Sequence, residues 1–593
     1  MPTGTRSIVI RMVNDMWKYI KRYLPYGILA AIFMVGEVLM DLLQPEIMSE
    51  IVDDGVLGVS SGGVGDMRLI WTLGLKMICL VLFGGLCGSL NNAFVHMTGQ
   101  NVGNEIRKDA FRNLMMFSFP QVDRFGTGSL VTRVTNDITQ VQNLVSQFVR
   151  GMIRTGMLMF GSIFFLFRLN THFGLIVLCA LPLIVGCLAF CLSRANPLFS
   201  RLQAQLDRIN AIMQEDISGI RIIKACVREG YEKLRFGKAN DDLICTQLQV
   251  LAILAFMNPV INALIYIVVA LILWAGAFEA AAGVTSPGSI MAAITYTTQL
   301  LNGIMGLTML FQNISRGFAS WKRVKEILHT EPELQDGSFD GQTELRGKIE
   351  FRDVSFAYPG SDQMVLKHVN LTIHPGETVA VMGATGCGKS SLVHLIPRFY
   401  DVTEGSVLVD GVDVREYNLQ VLRQKISMAL QKAELFSQTI GQNIAWGKAN
   451  ADSTAIQAAA TVAQAEKFVD EMPDGYDTMV AEQGTSLSGG QKQRVSIARA
   501  VIKQGEILIF DDATSALDLK TEANLYTALK QARPDCTKII IAQRIASVRQ
   551  ADRIVVLEKG SVAACGSHEE LLRDCPVYRD IYDSQMGKEE RYG

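Results

Sequence analysis

Six long apolar runs constrain this chain more than any other feature of its 593 residues. They lie at about residues 26–43, 69–90, 145–167, 173–192, 251–278 and 290–310. Each approaches the ~20 residues that a helix needs to cross a bilayer. Soluble helices keep a polar face, and these runs mostly do not. The expectation is an all-α transmembrane domain of six spans over residues 25–325. An even number of spans puts both chain ends on one side of the membrane. Lys18, Lys21 and Arg22, just ahead of the first run, mark that side as cytoplasmic. Residues 1–24 read as an amphipathic elbow helix lying at the bilayer surface, not as a cleaved leader.

The runs are unevenly spaced. Short loops join the first and second, the third and fourth, and the fifth and sixth. Longer polar connections with few breakers separate the second from the third and the fourth from the fifth. At 1.5 Å per residue, ~25 helical residues out and back reach ~35 Å beyond the membrane. Turns are expected near 115–127, where Pro120, Gly126 and Gly128 interrupt the pattern, and near 212–222.

The texture changes near residue 325. A polar linker is expected over 326–347, an α/β domain over 348–585 and a tail over 586–593. Asp410-Gly411 marks a hairpin turn, and Ser567 with Glu570 forms a helix-opening capping box. The near-balanced net charge of −2 offers no footprint for nucleic acid. The eleven cysteines contain no CxxC pair, so neither a zinc site nor a disulfide framework is suggested.

The sharpest motif is Gly383-Ala384-Thr385-Gly386-Cys387-Gly388-Lys389-Ser390, between an apolar β run and an apolar helix, with Ser391 following. This G-x-x-x-x-G-K-S spacing wraps backbone N–H groups around phosphate oxygens. Lys389 reaches the β and γ phosphates, and Ser390 ligates Mg²⁺. Downstream, the strand "ILIFDD" ends in Asp511, which holds the Mg²⁺ shell, and Asp512. Between them lies "LSGGQKQR", residues 487–494. ATP and Mg²⁺ are the expected cofactors.

These ordered motifs make residues 346–585 resemble the nucleotide-binding domain of an ABC transporter. The six spans, with "GTGSLVTRVTNDI" and "EDISGIRIIKACVRE", resemble the membrane domain of that family's exporters. The resemblance implies a type I exporter (type IV ABC) fold followed by a P-loop domain, with the two turns coupling one to the other. It places Tyr358 against adenine, and Gln431 on Mg²⁺ and the lytic water. It assigns Ser488, Gly489, Gly490 and Gln491 to a signature that acts on a partner's ATP, and Asp518 to the loop crossing between sites. One membrane domain and one nucleotide domain make half a transporter, so a partner chain is implied.

Two positions depart from the family pattern. Asp512 stands where a glutamate is expected, and Gln543 where a histidine is expected. The carboxylate is thereby withdrawn by ~1.5 Å, and Gln543 cannot become cationic. Both groups act on the γ-phosphate. The combination resembles the degenerate-site chain of heterodimeric bacterial ABC exporters, whose partner half carries the intact Glu and His. The expected function is an exporter half for drugs, lipids or peptides in the bacterial plasma membrane. The alternatives are a homodimeric exporter with slow hydrolysis and an ATP-gated channel or regulator.

Two further readings come from the residues alone. Glu37 and Asp41 share a face of the first span. They either attract cationic amphipathic substrates or are neutralised locally, with Lys76 as the candidate partner. Cys387, inside the phosphate loop, is expected to be a reactive thiol.

Overall fold

The computed structural model describes residues 15–59 and 63–586, and expectations about 1–14 and 587–593 lie outside them. The chain divides into two compact units. One comprises Met1–Leu114 and Leu130–Thr330, the other Met115–Ser129 and Glu331–Gly593. Helices run in the order α1 (Leu24–Glu50), α2 (Met67–Met115), α3 (Phe119–Phe125), α4 (Ile138–Leu169), α5 (Thr171–Ser218), α6 (Ile220–Ala225), α7 (Glu229–Ala281) and α8 (Pro287–His329).

Helices α2, α5 and α7 contain 49, 48 and 53 residues. At 1.5 Å per residue they extend about 72–80 Å, more than twice the ~30 Å hydrocarbon core. They therefore continue well past the membrane, as expected from the long polar connections. Five described helices are apolar and long enough to cross a bilayer. The sixth expected span falls in α8, which is long enough but carries Thr295, Thr297, Thr298 and Gln299 in its first third. That helix packs against α1 and α4, with Ala293, Tyr296 and Leu300 fully buried. The Tyr296 hydroxyl donates to the Leu42 carbonyl at 2.6 Å. A helix shielded by its neighbours tolerates polar residues that a lipid-facing one does not.

The first turn closes on α3. Ser118 caps that helix, and the Gln121 side chain accepts from the Ser118 N–H at 2.9 Å. The second turn starts inside the expected 212–222 stretch but runs later, because α5 continues unbroken to Ser218. The chain reverses over α6 and the residues up to Arg228, with Val227 at φ 53°.

In the second unit, strands β1 (Ile349–Ala357), β2 (Met364–Ile373), β4 (Glu404–Val409) and β5 (Val412–Asp413) form an antiparallel sheet ordered β2-β1-β4-β5. Asp410 and Gly411, at φ 53° and 84°, make the tight β4–β5 hairpin, with Val409 opposite Val412. Both central residues at positive φ are what a two-residue hairpin of this twist requires.

The main sheet is ordered β10-β9-β3-β8-β7-β6. Its strands are β3 (Thr378–Gly383), β6 (Ile426–Ala429), β7 (Ile507–Asp511), β8 (Thr537–Ile541), β9 (Arg553–Glu558) and β10 (Ser561–Gly566). All pairings are parallel except β9 with β10. Alternate residues face opposite cores. Val379, Val381, Ile507 and Ile509 join the core shared with the antiparallel sheet. Ala380, Met382, Leu508 and Phe510 join the core beneath the helices. A sheet covered on both faces explains why these strands read as continuous apolar runs.

The expected linker is anchored at a few points. Helix α8 runs to His329, so it takes up the first residues of that stretch. Beyond it, Phe339 stands edge-on to Tyr417 at 4.8 Å, and its N–H donates to the Glu416 carbonyl at 2.9 Å. Leu334 is buried. Two apolar anchors in a polar stretch are enough to hold it down.

Candidate functional site

The strand order makes the site. Neighbouring parallel strands β3, β8, β7 and β6 all end on one edge of the sheet, and the segments that follow them meet there. In α/β sheets this carboxyl-end crevice is where ligands bind. The phosphate loop follows β3, Gln543 follows β8, Asp512 follows β7 and Gln431 follows β6. A cavity of about 330 Å³ collects Tyr358, Thr385, Gly386, Gly388, Lys389, Ser390, Ser391, Gln431, Asp512 and Gln543.

The loop has the geometry its glycines imply. Gly386 and Gly388 stand at φ 82° and 101°, in the left-handed region. A Cβ on Gly386 would meet nothing within 4 Å, so the cradle is open at that point. A Cβ on Gly383 would lie 2.3 Å from the Leu557 carbonyl oxygen, so only glycine fits there. Lys389 Nζ donates to the Gly383 and Ala384 carbonyls at 2.9 and 3.0 Å, across the loop. Cys387 is buried, with its Sγ 3.9 Å from Lys389 Nζ. Attack by a reagent on this buried thiol would require the loop to open.

Ser390 Oγ donates to Asp511 Oδ1 at 2.7 Å. His394 Nε2 lies 3.1 Å from Asp511 Oδ2. His394 was not apparent as a site residue. Its signal in the sequence is the i, i+4 spacing from Ser390 on one helix. The hard oxygens of Ser390 and Asp511 suit Mg²⁺, so these residues fit the expected cofactor.

Asp512 sits at φ 50°, a conformation aspartate tolerates better than most residues. Its Oδ2 accepts from Gln543 Nε2 at 2.9 Å and lies 3.5 Å from Gln431 Nε2. Burial pushes its carboxyl above the ordinary aspartate value. The Gln543 hydrogen bond and Lys389 work against that shift, and the Asp511 carboxylate adds to it. Tyr358 borders the cavity, with its hydroxyl 2.9 Å from Ser391 Oγ and its ring edge-on to Tyr400.

The signature lies elsewhere. Ser488 is the N-cap of α9 (Gly489–Ile502), and Gln491 closes a capping box by accepting from the Ser488 N–H at 2.8 Å. Gly490 passes close to the chain, since a Cβ there would lie 3.0 Å from the Ala516 carbonyl oxygen. Asp518 caps α10 (Leu519–Ala532), accepting from the Thr521 N–H at 2.9 Å. None of the signature residues or Asp518 lines the cavity around Lys389.

These features agree with two matched family models, the ABC transporter transmembrane region over residues 28–304 and the ABC transporter domain over 366–515. An uncharacterized ABC transporter ATP-binding protein, YfiB of Bacillus subtilis, is 38% identical over 95% of this chain and 98% of its own length. The chain belongs to the ABC transporter family. This ABC chain is also 35% identical to the ATP-dependent lipid A-core flippase of Syntrophus aciditrophicus, over 88% of this chain and 86% of the flippase. Among solved structures it resembles a bacterial Atm1-family ABC exporter with ATP bound, with a TM-score of 0.77 and 25% identity. That match covers 95% of this chain and 98% of the exporter. The chain is a multi-pass membrane protein of the exporter type, with an ATP-binding domain at its C-terminal end.

Two neighbouring contacts hold the first turn. Within the second unit, Phe119 of α3 lies 4.4 Å from the Phe399 ring, and the Tyr400 hydroxyl donates to Asp123 at 2.8 Å. Phe119→Ala removes an aromatic contact worth about 1 kcal/mol. The expected result is several-fold slower transport in proteoliposomes with ATP binding unchanged. Equal transport would show that this contact does not carry the coupling.

In the membrane unit, Arg154 of α4 is paired with Glu37 and lies 3.5 Å from Asp41. Lys76 is exposed on α2 and forms no ion pair with either acid. The local partner is thus Arg154, not the expected Lys76. An arginine inside an apolar run was the available signal.

Proposed function

We propose that this chain is the ATP-binding half of an exporter that moves hydrophobic or amphipathic substrates out of the cytoplasm by alternating access. Its N-terminal end and its nucleotide domain lie on the cytoplasmic side. Its own site holds Mg-ATP and hydrolyses it slowly, and its partner is a different half carrying the Glu and His that this chain lacks.

The observation that carries the reading is the bond between Gln543 Nε2 and Asp512 Oδ2. The carboxylate that would orient the attacking water is short and held by a neutral amide. That amide occupies the place of a group able to become cationic. Phosphoryl transfer depends on positioning and on stabilising charge in the transition state, and this pair is poorly arranged for both.

Binding is a separate matter. Lys389 neutralises phosphate charge, the loop N–H groups donate hydrogen bonds to the phosphate oxygens, and Tyr358 offers a ring to the base. Ser390, Asp511 and Gln431 would hold Mg²⁺, which would supply positive charge against the phosphates. Ser488 to Gln491, free of this chain's own cavity, are left to complete the partner's site. The lipid flippases among the relatives favour a lipid or lipid-like substrate.

The test is ATP turnover of the chain purified alone in lipid, then mixed with a candidate partner half. The expected result is tight binding with turnover far below the ~10 s⁻¹ typical of enzymes, rising only when the partner is added. Turnover of several per second by the chain alone would instead favour the homodimer. ATP binding that opens a passive pathway, without uphill movement, would favour the channel.

A further inference from the structure

We propose that the membrane unit holds an acyl chain of an anionic phospholipid in a built groove beside the helical residues 15–21. A cavity of about 390 Å³ lies between that short helix, α1, α4 and Phe318 of α8. Its walls are carbon-rich, with Met16, Ile20, Leu24, Val149 and Met152 among them. Thr98 contributes a hydroxyl to the wall, and this already donates to the Phe94 carbonyl of its own helix at 2.8 Å. A site without free polar partners does not hold water. In a bilayer the material at hand to fill it is hydrocarbon.

Gly27 sits on the wall of this groove, inside α1. A Cβ built there meets nothing within 4 Å, so packing does not require a glycine. Glycine is also a poor helix former. Its effect here is to leave the trough deep enough for a chain to lie in.

The rim selects the headgroup. Trp17 and Tyr23 line the groove, and such rings favour the headgroup level of a bilayer. Lys18 and Lys21 project from the same short helix and are exposed. Lys18 lies 3.9 Å from Asp109, whereas Lys21 has no carboxylate partner among the described residues. An acyl tail in the trough thus brings its phosphate next to free positive charge.

The experiment uses the full chain in nanodiscs with phosphatidylglycerol or phosphatidylcholine carrying a diazirine near the tail end. Cross-linked peptides are mapped by mass spectrometry. Label should concentrate in residues 15–31 and 144–153. Gly27→Phe, which fills the groove, should cut that label about tenfold, the effect of excluding two or so methylenes. Gly85→Phe, at an equally open position on α2 away from the groove, should leave it unchanged. The phosphatidylglycerol probe should label about fivefold more than phosphatidylcholine, and Lys21→Glu should erase that preference. Label spread evenly over the bilayer-facing helices, or unchanged in Gly27→Phe, overturns the groove. Equal labelling by both headgroups overturns the anionic selection.

Discussion

Converting Asp512 to Glu and Gln543 to His together should raise ATP turnover of the isolated chain about 100-fold, because ~1 Å of misplacement at the reacting atoms costs about that much. The glutamate restores the missing ~1.5 Å of reach. The histidine removes the amide now bonded to Asp512 at 2.9 Å and returns a group that can carry charge. The two changes should not add. Residues in direct contact couple, and Glu alone remains tethered to Gln543. Asp512→Glu is therefore expected to recover only part of the gain. The left-handed backbone at 512, φ 50°, suits glutamate less well than aspartate and sets a small stability cost. Nucleotide affinity should stay the same, since none of the binding groups is touched. Steady-state phosphate release in lipid, with binding measured in parallel, decides the matter. A double variant no faster than the native chain would remove the basis for calling the site degenerate.

The second large effect concerns binding. Lys389→Ala should weaken ATP binding by about 100-fold or more, the scale seen when a pre-organised donor is removed from a charged site. The ammonium is held in place by the Gly383 and Ala384 carbonyls. It is the cation among the cavity-lining side chains, where Asp512 is the carboxylate, with Asp511 buried just behind Ser390. Without it the triphosphate approaches two carboxylates with no protein charge to offset them. A thermal-shift assay gives a direct reading. ATP at 100 times its dissociation constant stabilises the native domain by ~2.7 kcal/mol, and the variant should lose nearly all of this. Ser488→Ala is the contrasting variant. It should leave this chain's own binding intact and slow hydrolysis only when the partner half is present. Loss of this chain's own binding in Ser488→Ala would mean that the signature serves its own site.

The phosphate loop shows how much was legible. Gly383 to Ser390 could be read residue by residue because the chemistry is local: each glycine allows a close approach or a left-handed backbone, and Lys389 and Ser390 act from fixed offsets. Asp410-Gly411 was legible for the same reason. His394 and Arg154 were not read. Each matters only through a partner brought close by folding, Asp511 through the strand order and Glu37 through the packing of α4 on α1. The anchoring of the linker was not read, because Leu334 and Phe339 look like isolated apolar residues until Tyr417 is placed beside Phe339.

By itself the sequence determined the two kinds of unit, since bilayer-length apolar runs and short β-branched strands bury surface in different solvents. It also pointed to a nucleotide phosphate ligand, because phosphate recognition lies in one contiguous loop. Only the tertiary structure decided that β3, β8, β7 and β6 lie side by side. That order gathers Lys389, Gln543, Asp512 and Gln431 around one cavity and bonds Gln543 to Asp512. Strand order is set by which apolar faces pack together over distances of a hundred residues, and no local pattern of residues encodes it.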